Sequence, residues 1–318
     1  MATTTGATND VTINPSEGPL FDDLADRVRA GKCILFIGAG VHHEPSAKSS
    51  FKYPEDERPP MATALAKQLA AGCGFNAACP GEPDENLQRV ALCYEQVFDR
   101  QRLAKSIKAA VDVSTEPSIA LRALAELPFQ LVMTTNYDTL FERALREFPR
   151  KRPKVHVYSP DRYGPTPVLD DSEMSEKTPF VFKVHGDVDN PASLVVTDED
   201  YIDFVLRMTA WGEANHPVPE TFRYRLSLWP TLFVGYRLMD FNLRLLFRTL
   251  RWKLDSASRP SSYSVDVAPD RLVRRLMESN SSGLKFIVED VWDFVPRLYR
   301  AVLDRELADE AFARGPAP

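Results

Sequence analysis

Cysteine is scarce in this sequence, and the spacing of its few positions excludes two common kinds of site. The 318-residue chain has four cysteines and no Cys-x-x-Cys pair. A zinc ribbon and a thioredoxin-type redox motif both need such pairs, so neither is predicted. We expect free cysteines in a reducing compartment, each packed as a small apolar side chain. They are Cys33, Cys73, Cys79 and Cys93.

Long apolar runs are missing as well. No stretch approaches the roughly 20 consecutive apolar residues that a transmembrane helix needs. The N-terminal segment "MATTTGATNDVTINPSEGPL" is rich in Thr and Asn, with no basic region and no apolar core, so no signal peptide is predicted. We therefore expect a cytoplasmic protein that has no membrane partner.

An excess of positive charge is the third absence. The formal net charge is −6 and the pI is about 5.5. Proteins that bind nucleic acids usually carry a basic face that neutralises the phosphates. We therefore expect no direct sequence-specific nucleic-acid binding.

The chain does contain a series of short apolar runs separated by helical patterns. Each run is apolar or β-branched and ends at a polar residue or glycine, which is typical of strands buried on both faces. Strands alternating with helices predict an α/β fold, with a mostly parallel sheet covered by helices on both faces. The predicted strands are residues 33–37, 131–135, 180–184, 231–234, 263–267 and 284–288.

Apolar residues at helical spacing predict the helices, and residues at their ends predict the caps. Thr139 and Glu142 fit a capping box at the start of one helix, and Asp240 can cap another. Pro296 should bend or delay the last helix. The predicted helices are residues 61–72, 87–98, 102–111, 118–127, 140–148, 241–254, 268–279 and 291–308.

The segment between the first two strands is too long for a single crossover, which needs only about 10–15 residues. We interpret residues 52–120 as a small helical subdomain inserted in a nucleotide-binding core. Residues 150–179 are rich in Pro and Asp and predict a long loop. The main domain should span residues 19–305, between a flexible leader, 1–18, and a flexible tail, 306–318.

Glycines and polar residues follow four of the predicted strands. Ligands of open α/β sheets bind at the carboxyl ends of the strands, so these residues predict one shared site. They are Gly38-Ala39-Gly40, Asn136-Tyr137-Asp138, His185-Gly186-Asp187 and Gly235-Tyr236.

The two glycines after the first strand have two interpretations. Gly38 and Gly40 would let the backbone approach a phosphate bound by amide N–H groups, but a tight turn explains them equally well. The sequence continues Val41-His42-His43, so the third glycine of a dinucleotide fingerprint is missing. No acidic residue ends a second strand about 20 positions later, and a hydride-transfer dehydrogenase is therefore disfavoured.

Three side chains are candidates for chemistry. The Asn136 amide needs partners at a buried strand end and could position a water or a ribose hydroxyl. Asp138 either serves the site or caps the following helix. His185 is the general-base candidate, because imidazole accepts a proton near neutral pH and Gly186 leaves room for a ligand. His42 and His43 either line the site or are loop residues, and their position favours the loop.

Four segments resemble, in order and spacing, motifs of the Sir2 (sirtuin) family, and within it the bacterial Sir2-like group. They are "GAGV" (38–41), "TTNYD" (134–138), "KVHGD" (183–187) and "LFVGYRLMDFNLRLL" (232–246). The resemblance implies a Rossmann-like NAD-binding core with a helical insertion. It also implies a set of roles. The NAD phosphates are assigned to Gly38, Ala39 and Gly40, and the adenosine ribose to Gly235 and Tyr236. Asn136 and Asp138, in the nicotinamide-ribose region, are catalytic together with His185. Val41, Thr135 and Gly186 are further NAD-binding residues.

Two departures from the family decide which chemistry the resemblance favours. Deacylating sirtuins carry two zinc-binding Cys pairs after the histidine motif, whereas residues 186–231 contain no cysteine. "HHEPSAKSSFKYPEDERPP" also replaces the Ser-rich loop and the Pro-Asp-Phe-Arg element. The chain is then similar to metal-free NAD glycohydrolases of antiphage defence, which deplete NAD. An NAD-dependent deacylase and a non-catalytic NAD or ADP-ribose sensor remain the alternatives.

Control of such an activity is a further expectation. An NADase that is always active would poison its host, and no sensor domain is recognisable in the sequence. We therefore expect activation by homo-oligomer assembly or by a separately encoded sensor, such as an ATPase.

Overall fold

The computed structural model describes residues 17–161, 170–209, 216–237, 260–279 and 283–308. Within them lies one sheet of seven strands, paired in parallel throughout. The strands are β1 (Ile34–Ile37), β2 (Leu131–Thr134), β3 (Lys154–Val157), β4 (Phe180–Lys183), β5 (Thr231–Val234), β6 (Ser262–Val265) and β7 (Leu284–Ile287). Their order across the sheet is β3-β4-β2-β1-β5-β6-β7.

Both faces of the central strands are buried, which is why these strands are mostly apolar. In β1, Leu35 and Ile37 pack into the hydrophobic cluster on one face, while Ile34 and Phe36 pack into the cluster on the other. Successive side chains of a strand point to opposite faces, so a strand covered on both sides has no polar face. This burial confirms the interpretation of the short apolar runs as buried parallel strands.

Helices cover the two faces of the sheet. One cluster includes buried residues of α1, α6, α7 and α11, and the other includes residues of α8, α9 and α10. The predicted α/β class with a parallel sheet is therefore confirmed. The helices are α1 (Glu17–Arg29), α2 (Ala62–Cys73), α3 (Phe75–Ala78), α4 (Leu87–Val97), α5 (Arg100–Val111), α6 (Ile119–Glu126), α7 (Leu140–Arg146), α8 (Asp198–Thr209), α9 (Glu220–Leu228), α10 (Arg271–Ser279) and α11 (Val291–Leu303).

The helices α2 to α5 lie between β1 and β2 and share a hydrophobic cluster of their own. Local hydrogen bonds cap two of these helices. At the start of α4 the Asn86 side chain accepts the Arg89 N–H at 3.2 Å, and at the start of α5 the Asp99 side chain accepts the Arg102 N–H at 2.7 Å. Gly74, with φ of +68°, ends α2 in the left-handed conformation. The inserted helices are thus present, and the subdomain limits at 52 and 120 stay a prediction.

The long loop predicted over residues 150–179 is wrong in part, because it contains β3. Among the described strands it pairs with β4 alone, at the edge of the sheet, and its residues are half-buried or exposed. An edge strand of composition Lys-Val-His-Val lacks the continuous apolar run of the buried strands, and Pro153 precedes it. The Lys154 N–H donates to the Pro179 carbonyl at 2.9 Å, which opens the pairing.

The predicted capping box at α7 is also wrong. The hydroxyl and the N–H of Thr139 both donate to the carboxylate of Asp112, at 2.7 and 2.9 Å. Glu142 does not turn back to Thr139, because it pairs with the buried ammonium of Lys183 at 3.1 Å. An unpaired buried ammonium would destabilise the fold more than a missing helix cap, so Glu142 pairs with Lys183 in the core.

Several expectations concern the ends of the chain and its cysteines. Helix α11 begins at Val291 and is capped by Asp290, whose carboxylate accepts the Trp292 N–H. Pro296 therefore lies inside the helix and does not delay its start. Cys79 and Cys93 are partly exposed, against the expected burial. No described helix is long and apolar enough to cross a membrane. The predicted helix 241–254, its Asp240 cap, and residues 1–16 and 309–318 lie outside the described residues.

Candidate functional site

A cavity of about 770 Å³ opens at the carboxyl ends of the strands. Its size is in the range of small-molecule and cofactor sites. It extends to both sides of β1, where strand order reverses, and this is the place where open α/β sheets bind ligands. Residues from six strand ends line it: Ala39 and Gly40 (β1), Thr135, Asn136 and Asp138 (β2), His185 (β4), Gly235 and Tyr236 (β5), Asp266 (β6) and Glu289 (β7).

Three of the predicted site residues do not line this cavity. Gly38 and Val41 are buried beneath it. Gly186 has φ of +86°, and a Cβ there would lie 2.1 Å from the Ser193 carbonyl oxygen. Gly186 is thus required by the turn after β4.

The glycines after β1 and β5 let two loops touch each other. A Cβ on Gly38 or Gly40 would lie 2.6 or 2.7 Å from the carbonyl oxygen of Gly235, and the Gly40 N–H donates to that oxygen at 2.9 Å. Gly235 has φ of +75°, and a Cβ there would lie 2.3 Å from the Val41 nitrogen. Among the described residues the Ala39 N–H has no acceptor, so it is the donor of this turn that a ligand can use.

Tyr236 joins the ends of β1 and β2. Its hydroxyl donates to the Ile37 carbonyl at 2.8 Å and lies 2.9 Å from the hydroxyl oxygen of Thr135. Its ring packs edge-on against Phe36, with centroids 5.0 Å apart. The tyrosine therefore offers the cavity mainly its ring, and its hydroxyl serves the strand ends.

Asn136 carries an amide that the protein satisfies at one end only. Its Nδ2 lies 3.3 Å from Nε2 of His42, and its backbone N–H donates to the Thr134 hydroxyl at 3.0 Å. Its Oδ1 is buried and lacks a hydrogen-bond partner in the part of the chain described. A buried acceptor without a donor costs about 1–3 kcal/mol, so this atom is suited to a water or a ligand hydroxyl.

Asp138 caps the following helix and also lines the cavity. One carboxylate oxygen accepts the Leu140 N–H at 3.0 Å at the start of α7, and the other lies 3.5 Å from Nε2 of His42. Burial alone would raise the pKa of Asp138, but the charges of His42 and Lys183 and its hydrogen bonds outweigh burial and hold that pKa below its usual value. The site therefore contains a buried carboxylate anion.

The expectation that His42 is a loop residue is wrong. Its side chain is buried, and its ring contacts Tyr53, Asn136 and Asp138. The short 3₁₀ turn Ala39–His42 after β1 turns the imidazole inward. His43, the next residue, is exposed.

His185 lies in an aromatic corner of the cavity. Its ring meets Tyr201 and Phe204 edge-on, with centroids 5.2 and 5.1 Å away, and its Nδ1 lies 3.5 Å from the Tyr201 hydroxyl. Burial lowers the pKa of His185 to about 3, because the charged form would lose its hydration. The imidazole is therefore neutral at physiological pH.

A buried lysine supports the loop that carries Asn136. Lys183, at the end of β4, contacts Glu142 at 3.1 Å and Asp187 at 2.6 Å, and it donates to the carbonyls of Tyr137 and Asp138. Burial alone would lower its pKa, but the charges of Glu142, Asp187 and Asp138 raise that pKa above its ordinary value. Lys183 is thus a cation that fixes the turn after β2 against β4.

Sequence reasoning missed Lys183, Tyr53 and Tyr201 as parts of this site. A lysine inside the apolar run "FVFKV" was a readable signal, since a lysine in a buried strand needs a carboxylate partner. Tyr53 and Tyr201 reach the site from a loop and from α8, and nothing in their sequence neighbourhoods indicates it. No group of three or more His, Cys, Asp or Glu side chains within the described ranges is placed to hold a metal ion.

Comparison with known proteins gives several relatives. Residues 130–287 match the family model of the SIR2-like domain. An NAD(+) hydrolase ThsA of Enterococcus faecium is 32% identical over 243 residues, covering 76% of this chain and 44% of that protein. The NAD(+) hydrolase ThsA of Bacillus cereus (strain MSX-D12) is 30% identical over 243 residues, covering 75% and 44%. The ThsA of Acinetobacter baumannii (strain 532279) is 24% identical over 319 residues, covering 94% and 58%.

The chain thus spans about half the length of these relatives. The residues that the family model matches contain the turn after β2, the turn after β4 and the end of β5. They therefore include Asn136, His185 and Gly235, which line the cavity. On the fold and these matches, the chain contains a SIR2-like domain.

Proposed function

We propose that this chain is an NAD⁺ glycohydrolase, which cleaves the nicotinamide–ribose bond to give nicotinamide and ADP-ribose. One observation carries the proposal: Asn136 presents a buried acceptor with no donor among the described residues, in a cavity it shares with the neutral imidazole of His185. The names of the relatives, NAD(+) hydrolases, agree with this chemistry.

The topology supports one orientation of NAD in the cavity. Asn136 and His185 follow β2 and β4, on one side of β1, while Gly235 and Asp266 follow β5 and β6, on the other. We place the nicotinamide ribose on the side of Asn136 and the adenosine on the side of Gly235. The diphosphate then crosses the end of β1, where the Ala39 N–H has no protein acceptor among the described residues.

The reaction needs little from the protein, because the nicotinamide of NAD is already cationic. As the bond from the ribose carbon to the ring nitrogen breaks, its electron pair neutralises the nicotinamide, and positive charge develops on the ribose. The carboxylate of Asp138 stabilises that charge. Asn136 Oδ1 holds the attacking water or a ribose hydroxyl, and His185 accepts the proton that the water loses on forming ADP-ribose.

We further propose that the enzyme acts in the cytoplasm, in antiphage defence, where NAD depletion stops infected cells from supporting the phage. The resemblance of the motifs supports this role. Because unrestrained NAD loss would harm the host, the activity should depend on assembly of the chain into a homo-oligomer or on a separately encoded partner. A rate per chain that rises with protein concentration would support assembly.

Substitution of the two candidate catalytic residues tests the proposal. His185→Ala and Asn136→Ala should each lower kcat for nicotinamide release by about 10²-fold or more, the usual scale for a lost catalytic group. His156→Ala is the matched control. It removes an imidazole of the edge strand β3 that stacks on Phe182, away from the cavity. Chromatographic assay of nicotinamide gives the rates, and circular dichroism checks the fold.

The alternatives predict different results in the same assay. A non-catalytic sensor would bind NAD and leave it intact. A deacylase would release nicotinamide only with an acylated peptide present and would form acyl-ADP-ribose. Near-normal NAD loss in a folded His185→Ala or Asn136→Ala variant would refute the roles given to these residues.

A further inference from the structure

We propose that His42 is a positioning residue that orients the Asn136 amide for catalysis. This inference rests on the proposed function and assigns a role to a residue that the reaction itself does not use. It comes from a chain of three hydrogen-bonding groups, Tyr53, His42 and Asn136, which reaches the cavity from the loop before α2.

The outer end of the chain holds the His42 ring. The Tyr53 hydroxyl has one proton, which it donates to the Glu116 carbonyl at 2.8 Å. The same oxygen lies 3.4 Å from Nδ1 of His42, and only its lone pairs remain for that contact. Nδ1 therefore donates to Tyr53, and this contact holds the ring with Nε2 toward Asn136.

The inner end of the chain holds the Asn136 amide. Nε2 of His42 lies 3.3 Å from Nδ2 of Asn136, and this is the contact that the side-chain amide makes among the described residues. Oδ1 is then the end of the amide left without a protein donor in the described part of the chain. Loss of His42 would let the amide rotate and offer the substrate a donor in place of an acceptor.

Asp138 is the other group that faces His42. Its Oδ2 lies 3.5 Å from Nε2, longer than the roughly 2.7–2.9 Å of a charge-assisted hydrogen bond. Against the effect of burial, His42, Lys183 and the Leu140 N–H together hold the pKa of that carboxylate below its usual value. His42 thus contacts both groups, and the shorter contact, 3.3 Å to Nδ2, assigns its positioning action to Asn136.

A double-mutant cycle separates positioning from a structural role. His42→Ala should lower kcat for nicotinamide release by about 10-fold or more with a much smaller change in KM, since misplacing a catalytic group costs up to about 10²-fold. In the Asn136→Ala background the same substitution should change kcat by less than about 2-fold, because no amide is left to orient. His42→Gln, whose amide oxygen can accept from Asn136, should recover part of the loss.

Two further arms of the experiment test whether His42 acts through Asp138 or through the stability of the fold. In the Asp138→Asn background His42→Ala should keep its full effect. If the effect vanishes there and persists in Asn136→Ala, then His42 acts through Asp138 and the proposal is overturned. Equal losses in all backgrounds, with lowered thermal stability and no recovery by His42→Gln, would make His42 a structural residue and overturn it as well.

The same cycle can be measured by binding if the wild-type chain alone releases no nicotinamide, the outcome expected of a non-catalytic sensor or of an enzyme that needs a partner. Calorimetric affinity for NAD then replaces kcat. The inference predicts that His42→Ala weakens NAD binding in the wild-type background and leaves it unchanged in Asn136→Ala. Equal weakening in both backgrounds would overturn it.

Discussion

At the scale of the residue, Lys183 joins the stability of the protein to the geometry of its site. Its ammonium is fully buried, contacts two carboxylates and donates to two carbonyls of the turn that carries Asn136. Removing one member of a buried ionic group leaves the others with uncompensated charge. The cost should therefore appear in folding before it appears in catalysis.

Lys183→Met should lower the free energy of unfolding by about 3–5 kcal/mol, because Glu142 and Asp187 would lose their cation. Lys154→Met is the matched control: Lys154 lies on the adjacent edge strand, and its side chain is 45% exposed beside Glu173. The control should change stability by no more than about 0.5 kcal/mol. Urea unfolding measures both, and equal effects would contradict the role given to Lys183.

His185 should make the fold sensitive to acid. Its pKa is about 3 in the folded protein against an ordinary value of 6.5, so between these pH values the unfolded chain binds a proton that the folded chain does not. The stability that His185 contributes is complete above pH 6.5 and falls as the pH drops toward 3.

His185→Ala should therefore flatten the decline of stability with falling pH. The difference between the variant and the wild type should approach about 1.4 kcal/mol per pH unit below pH 6.5. Urea unfolding at a series of pH values from neutral to mildly acidic gives the two slopes. Parallel slopes would show that the buried imidazole does not resist protonation.

The sequence predicts these residues unevenly. Asn136, Asp138 and His185 are identifiable because a polar residue directly after a buried strand needs a reason to be there. The contact of His42 with Asn136 joins residues from two strand ends, so it depends on how the loops fold and not on any local pattern. Lys183 is an intermediate case, since the sequence predicts that a buried lysine has carboxylate partners but not that these are Glu142 and Asp187.

At the scale of the element, the loops after β1 and β5 support each other through glycine. Gly38 and Gly40 lie within contact of the Gly235 backbone, and Gly235 adopts a positive φ as well. The motif "GAGV" therefore has a packing role whether or not a phosphate binds above it. Both interpretations considered for these glycines, a tight turn and a ligand cradle, remain compatible with this geometry.

Gly235→Ala should destabilise the protein by about 3 kcal/mol or more, since the new Cβ adds overpacking to the penalty of the left-handed conformation. Gly74→Ala is the matched control, because Gly74 has φ of +68° but no atom within 4 Å of the position of a Cβ. It should lose only about 1–2 kcal/mol, the conformational penalty alone. Equal losses of stability in the two variants, measured by urea unfolding, would mean that the loops after β1 and β5 shift to make room for the new Cβ.

Burial on both faces also decides which elements could be predicted. The strands β1, β2, β4 and β5 are buried at every position, and their apolar runs are legible in the sequence. The edge strand β3 is exposed or half-buried, so its pattern does not differ from that of a loop. Helix α7 shows the converse, because a local capping pattern yielded to the tertiary pairing of Glu142 with Lys183.

At the scale of the whole molecule, the order of the strands creates the cavity. Because β2 and β5 lie on opposite sides of β1, the chain leaves the sheet in two directions and a crevice opens between the loops. Alternating strands and helices predict the class of fold, but they do not fix which strands become neighbours. The sequence therefore predicts which strand ends form the site, but not how they are arranged around it.

The central claim is that this cavity cleaves the nicotinamide–ribose bond. The most direct test incubates the purified chain with NAD over a series of protein concentrations and measures nicotinamide and ADP-ribose by mass spectrometry, beside His185→Ala. We predict equal amounts of the two products, at a rate per chain that rises with concentration, and almost none from the variant. NAD that stays intact at every concentration would contradict activation by assembly of the chain alone, and equal release from His185→Ala would contradict the account.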